Sequence, residues 1–199
     1  MEIVREVAAF EENVRRARAV LDRISAFPRS IFQTPPASLA FLDYGHVTSR
    51  ELFERLVDLC KVNDERGFVF MMTAPDPVNY FQKNFGWLPA ASFSCEDQVS
   101  AFTEFVTRDP GGSPADAIAY RSDEIMAISD GAAVALYGRR DREIAVLGSF
   151  AKAVDFRSGK GPPSIFMDSL MAYEYLARSP GFSLRRDEFI ASWAVVPAS

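Results

Sequence analysis

The chain has 199 residues, of which 48% are hydrophobic, with 17 phenylalanines and a formal net charge of −5. That length and apolar content suffice for one domain with a sizeable core, so global disorder is excluded. Acidic residues outnumber basic ones in both halves, 14 to 11 over residues 1–99 and 13 to 11 over 100–199; no basic platform attracts a phosphate backbone, so nucleic-acid binding is disfavoured and no nucleic-acid partner is expected.

The first predicted element is an amphipathic helix over about residues 2–26. Ile3, Val7, Phe10, Val14, Ala17, Leu21 and Ile24 recur at alternating spacings of four and three, which lines them along one face. The positions flanking that stripe are mixed in charge, so packing on the chain's own sheet is favoured over a seam between two chains. Charge interrupts residues 1–24 every two or three positions, unlike a signal peptide. No stretch approaches the roughly 18 apolar residues of a membrane span. A soluble, cytoplasmic protein without a membrane partner is expected.

Three prolines make residues 27–38 a connector, followed by a short strand at 38–42. Thr48-Ser49-Arg50-Glu51 has the form of a capping box with Thr48 as N-cap. The helix it opens buries Leu52, Leu56, Leu59 and Cys60 and ends near Asn63. Residues 67–73 form a continuous apolar run, as expected of a central strand covered on both faces. Asp76 then caps a short helix with Pro77 in its first position, running to Phe85. Phe85, Trp87 and Leu88 follow in an aromatic loop, and they are the candidate protein-interface residues. Ser94 opens a helix over 96–107 that buries Val99, Phe102 and either Phe105 or Val106.

Residues 116–150 carry the clearest architectural signal. Segments 116–120, 124–129, 132–138 and 143–150 alternate or are apolar, and turn chemistry separates them at 121–123, 130–131 and 139–142. This spacing predicts a four-strand antiparallel meander. Within the last segment, Ile144 and Val146 should share one face and Ala145 and Leu147 the other. A polar stretch at 152–163 follows, then two helices at 164–178 and about 184–194. The order of elements predicts a single α+β domain over 1–199, with a mostly antiparallel sheet covered by helices on one side.

Candidate chemistry is sparse. The one histidine, His46, and two cysteines, Cys60 and Cys95, supply too few ligands for a catalytic zinc or a disulfide framework, and no metal or cofactor is expected. Lys160 sits in Ser158-Gly159-Lys160-Gly161, but Val154 and Gly161 stand where a phosphate loop needs Gly and Ser or Thr. His46 with Cys95 as nucleophile is one conceivable dyad. Cys95 precedes Glu96-Asp97, whose charge opposes a reactive thiolate. The densest charge cluster is Arg139, Arg140 and Arg142, interleaved with Asp141 and Glu143. Together with His46 these arginines are the candidate ligand-binding residues for a phosphate or carboxylate. Catalytic residues are not identifiable, and no short motif marks a known family. The expected function is a non-enzymatic protein-binding or self-associating module, with a protein partner or a second copy as ligand. The alternative is an enzyme or small-ligand binder that holds an anionic group at the arginine turn.

Overall fold

The computed structural model describes residues 1–21, 27–156, 165–193 and 195. Among these, eight strands form one antiparallel sheet: β1 (Glu2–Ile3), β2 (Ser38–Asp43), β3 (Gly67–Ala74), β4 (Ala90–Ser94), β5 (Glu124–Ser129), β6 (Val134–Arg139), β7 (Ile144–Ser149) and β8 (Phe166–Met167). Their order across the sheet is β1-β4-β3-β5-β6-β7-β2-β8. The helices are α1 (Val7–Val20), α2 (Arg50–Val62), α3 (Lys83–Phe85), α4 (Val99–Thr107), α5 (Ile118–Arg121), α6 (Ser169–Leu176) and α7 (Arg186–Ser192). The fold is α+β, and none of the described helices is long and apolar enough to cross a membrane.

Helices cover both faces of the sheet, not one. Ile125 and Ala127 of β5 join the core under α2 and α4, while Met126 and Ile128 join the core under α1, α6 and α7. Strands whose alternate positions are both apolar have no face to leave to water, so a second helical layer is required. β7 follows the expected alternation, with Ile144 and Val146 on the α1 side and Ala145 and Leu147 on the α2 side. The α2 side holds a phenylalanine cluster. Phe53 stacks on Phe102 with ring centroids 5.0 Å apart, and Phe68 stacks on Phe93 at 5.5 Å.

Three of the four predicted meander segments are strands, namely β5, β6 and β7. Segment 116–120 is instead a 3-10 turn at Pro114–Asp116 running into α5. Pro114 sets a helical φ at the start of that turn, and Arg121 N–H donates to Ala117 O to close α5. The neighbour that completes four adjacent strands is β3, which pairs with β5.

Local boundaries shift for identifiable reasons. The amphipathic stripe is helical only from Val7, because Ile3 pairs with Ala91 as part of edge strand β1. Phe10, Ala17 and Leu21 are buried against the sheet as intrachain packing requires, while Ile24 lies outside the described residues. The N-cap of α2 is Ser49, whose hydroxyl accepts from Leu52 N–H at 3.2 Å, and not Thr48. α4 begins at Val99, because Asp97 accepts from Ser94 N–H and holds 94–97 as a turn. Strand β4 had no counterpart in the reading of the sequence; its Ala and Ser residues are weak strand formers, and pairing with β3 and β1 overrides them. Lys160 and its glycines lie outside the described residues, as do the start of the helix predicted at 164 and Ala194.

Candidate functional site

The register of β3, β5, β6, β7 and β2 assembles a polar row at one end of the sheet, on the α1 side. Ala74 pairs with Glu124, Glu124 with Arg139, Arg139 with Ile144, and Ile144 with Asp43. A register shift between Met72 and Ala74 brings Thr73 into the row. The Thr73 hydroxyl donates to Glu124 Oε1 at 2.6 Å, and the Tyr137 hydroxyl donates to Glu124 Oε2 at 2.8 Å. Farther along the row, Tyr175 of α6 donates to Asp43 Oδ2 at 2.6 Å. Burial first, and then the carboxylate partner, push both the Tyr137 and Tyr175 hydroxyls above their ordinary values. Each phenol therefore stays a neutral donor, and each carboxylate an acceptor.

Beside this row, α1 and the segment after β3 enclose an open groove of about 430 Å³. Phe10, Val14, Pro77 and Val78 give it apolar walls, Thr73 contributes its hydroxyl, and Glu11, Arg15, Arg18 and Asp76 stand at the rim. The rim is locally fixed. Asp76 accepts from the backbone N–H groups of Val78 and Asn79 at 3.0 Å each, and these bonds, Asn79's foremost, hold its carboxyl below the usual range. Arg15 is paired with Glu12. Arg18 is exposed and has no acidic partner among the described residues.

The arginines predicted as a ligand site diverge. Arg139 forms a two-pronged pair with Asp141, at 2.9 and 2.8 Å. Arg140 turns to the other face of the sheet. It donates to Ser122 O at 2.6 Å and Tyr120 O at 3.2 Å, and its guanidinium lies 5.4 Å from the Tyr44 ring centre. Arg142 lies 3.8 Å from Asp141. His46 is exposed in the 3-10 turn Tyr44–His46, next to that second arginine's partner Tyr44. Arg140 and His46 are thus drawn to the same neighbourhood, whereas Arg139 belongs to the polar row.

The predicted interface segment faces inward. Leu88 is fully buried, Phe85 packs on Tyr80 and Phe81, and Trp87 lies edge-on to Phe81 and Phe105 at 5.7 and 6.2 Å. Gly86 at φ +71 turns the chain so that both aromatics reach the core. The segment plugs the end of the sheet.

The His46–Cys95 dyad is contradicted. Cys95 follows β4 and His46 follows β2, strands with four others between them, a separation on the order of 20 Å. The antiparallel pairings also place the two residues at opposite ends of the sheet. Cys60 and Cys95, far apart in sequence, are instead drawn to one turn, where their thiols donate to Gly67 O and Glu65 O, and burial pushes both thiols up. Among the described residues no three His, Cys, Asp or Glu side chains are grouped to hold a metal ion.

Thr73, Glu124, Tyr137 and Arg18 were not legible as site residues. The first three meet only through strand register, and the fourth reads as an ordinary residue on the polar side of a helix. Comparison with protein-family models, curated proteins and solved structures returned no match to this chain, so its function is argued from its own geometry.

Proposed function

We propose that the protein is a non-enzymatic, soluble, cytoplasmic binding module whose partner-facing surface is the groove between α1 and residues 73–78. Its ligand is a segment of another protein that seats an apolar side chain against Phe10, Val14 and Val78 and sets a carboxylate on Arg18. The carrying observation is the pairing of that apolar groove with an exposed guanidinium at its rim that has no acidic partner among the described residues. An apolar centre inside a charged rim is the usual anatomy of a protein interface. The groove is open, whereas small-molecule sites enclose most of the ligand surface. The polar row supports the same reading: Glu124 has both oxygens bonded and its tyrosine is held neutral, which suits a rigid floor better than a proton-transfer site. An anionic ligand at the arginine turn has less support, because Asp141 and the Ser122 and Tyr120 carbonyls already engage Arg139 and Arg140.

The test is selection of random peptides on the full chain, followed by affinity measurement against wild type, Val14→Lys and Arg18→Glu. Peptides that share an apolar residue near an acidic one, and that lose about tenfold or more affinity in both variants, support the proposal; tenfold corresponds to about 1.4 kcal/mol. Peptides that bind all three proteins equally refute it. So does a groove occupied by a second copy, seen as a dimer in light scattering that Val14→Lys dissociates.

A further inference from the structure

The end of the sheet opposite the groove carries the Cys60–Cys95 pair. Cys60 lies in the last turn of α2 and is fully buried, and Cys95 directly follows β4 and is 9% exposed. The turn joining α2 to β3 clamps them together. The Cys60 thiol donates to Gly67 O at 3.6 Å, and the Cys95 thiol to Glu65 O at 3.5 Å. The same turn is pinned by Glu65 N–H on Cys60 O and by Cys95 N–H on Arg66 O, both at 2.9 Å. Gly67 allows the close approach, since a Cβ there would lie 2.1 Å from Phe93 O. The result is two thiols from distant elements held on one turn, Cys60 sealed in the core and Cys95 buried except for a 9% opening to solvent. Packing alone does not need a second sulfur at the only member of the pair that solvent can reach.

We propose that Cys60 and Cys95 are an oxidisable dithiol that closes to a disulfide when a peroxide reaches Cys95. In the first step the Cys95 thiol attacks one peroxide oxygen, the O–O bond breaks, and a sulfenic acid and one water form from hydrogen peroxide. In the second step the Cys60 sulfur attacks the Cys95 sulfur, the S–O bond breaks, and the hydroxyl leaves with the Cys60 proton as a second water. Two thiols lose two electrons and two protons, and one peroxide is reduced to two waters. Closure removes the Cys95 bond to Glu65 O. The side chain of Glu65 holds the β5–β6 hairpin through Ser129 Oγ, Gly131 N–H and Ala133 N–H, at 2.6 to 3.0 Å, so the oxidation state of the pair is wired to that hairpin. Buried, neutral thiols with Glu65, Asp130 and Glu96 nearby react slowly, which suits sustained oxidant and not brief signals.

The experiment exposes the full chain to hydrogen peroxide with circular dichroism followed throughout, then alkylates in denaturant and maps the products by mass spectrometry. The expected product is a Cys60–Cys95 linked peptide lacking two hydrogen atoms, with both thiols lost together and both restored by dithiothreitol. In Cys60→Ala, Cys95 should instead accumulate as sulfenic and then sulfinic acid. Wild-type protein that ends with sulfinic Cys95 and intact Cys60, that forms chain-to-chain dimers, that unfolds before it links, or that keeps both thiols under peroxide sufficient to oxidise free cysteine overturns the proposal.

Discussion

Replacing Phe102 by alanine is the sharpest test of the packing that positions α4 on the sheet. Phe102 is fully buried; its ring stacks on Phe53 at 5.0 Å and meets Phe70 and Phe93 edge-on at 5.1 and 5.6 Å. Removing a buried phenylalanine ring costs about 3–5 kcal/mol through lost transfer energy and the cavity left behind. Three aromatic partners each add about 0.5–1.5 kcal/mol beyond area, which places this substitution at the upper end, about 4–5 kcal/mol. Phe102→Leu refills most of the volume and should cost about 1–2 kcal/mol. Urea unfolding followed by tryptophan fluorescence reads the change, because Trp87 sits against Phe105 on the same helix. The slope against urea should be unchanged and the midpoint lower. A loss below about 1.5 kcal/mol for Phe102→Ala would show that the ring is not enclosed as described, since that is far under the range for a buried phenylalanine.

Other consequences follow from single contacts. Burial pushes the Tyr44 hydroxyl up to about 12 and raises that of Tyr137 as well. Both stay neutral in the folded chain after they ionise in the unfolded one near the ordinary value of about 10. Stability is therefore full below about pH 10 and falls between about 10 and 12, with about 2–3 kcal/mol from Tyr44; alkaline titration of the unfolding midpoint should show that fall, a shallower one in Tyr44→Phe, and a flat profile would contradict it. Gly67→Ala drives a Cβ into Phe93 O, so thermal melting should show a loss of about 3 kcal/mol or more; near-neutral stability would mean that β3 and β4 are farther apart at this point. Phe10→Ala should cost about 3–5 kcal/mol with a melting point independent of protein concentration, whereas concentration dependence would place the α1 stripe at a seam between chains.

What could be read in advance tracks how local the determinants are. The α2 stripe, the Asp76 cap, the apolar run of β3 and the alternation in β7 all depend on neighbours within a turn or a strand, and each was visible in the sequence. Residues 116–120 misled because Asp-Ala-Ile-Ala-Tyr alternates like a strand, while Pro114 and the Ala117–Arg121 bond decide the matter one residue class away from periodicity. β4 was hidden because Ala-Ala-Ser-Phe-Ser becomes a strand only between β1 and β3. The site residues were hidden for a stronger reason. Glu124 meets Thr73, Tyr137 and Arg139 through register between β3, β5 and β6, and Cys60 meets Cys95 through a turn that neither residue belongs to. Arg139, Arg140 and Arg142 look convergent in sequence, yet alternation along β6 and the 3-10 turn after it sends their side chains to different faces.

The central claim is that the groove beside α1 is the binding surface. Its most direct measurement is a two-dimensional amide NMR titration of isotope-labelled full chain with a selected apolar–acidic peptide. Shifts should concentrate at Phe10, Val14, Arg18, Thr73 and Val78 and vanish in Arg18→Glu. Shifts centred instead on Arg140, His46 and Tyr44, or spread without a focus, would contradict it.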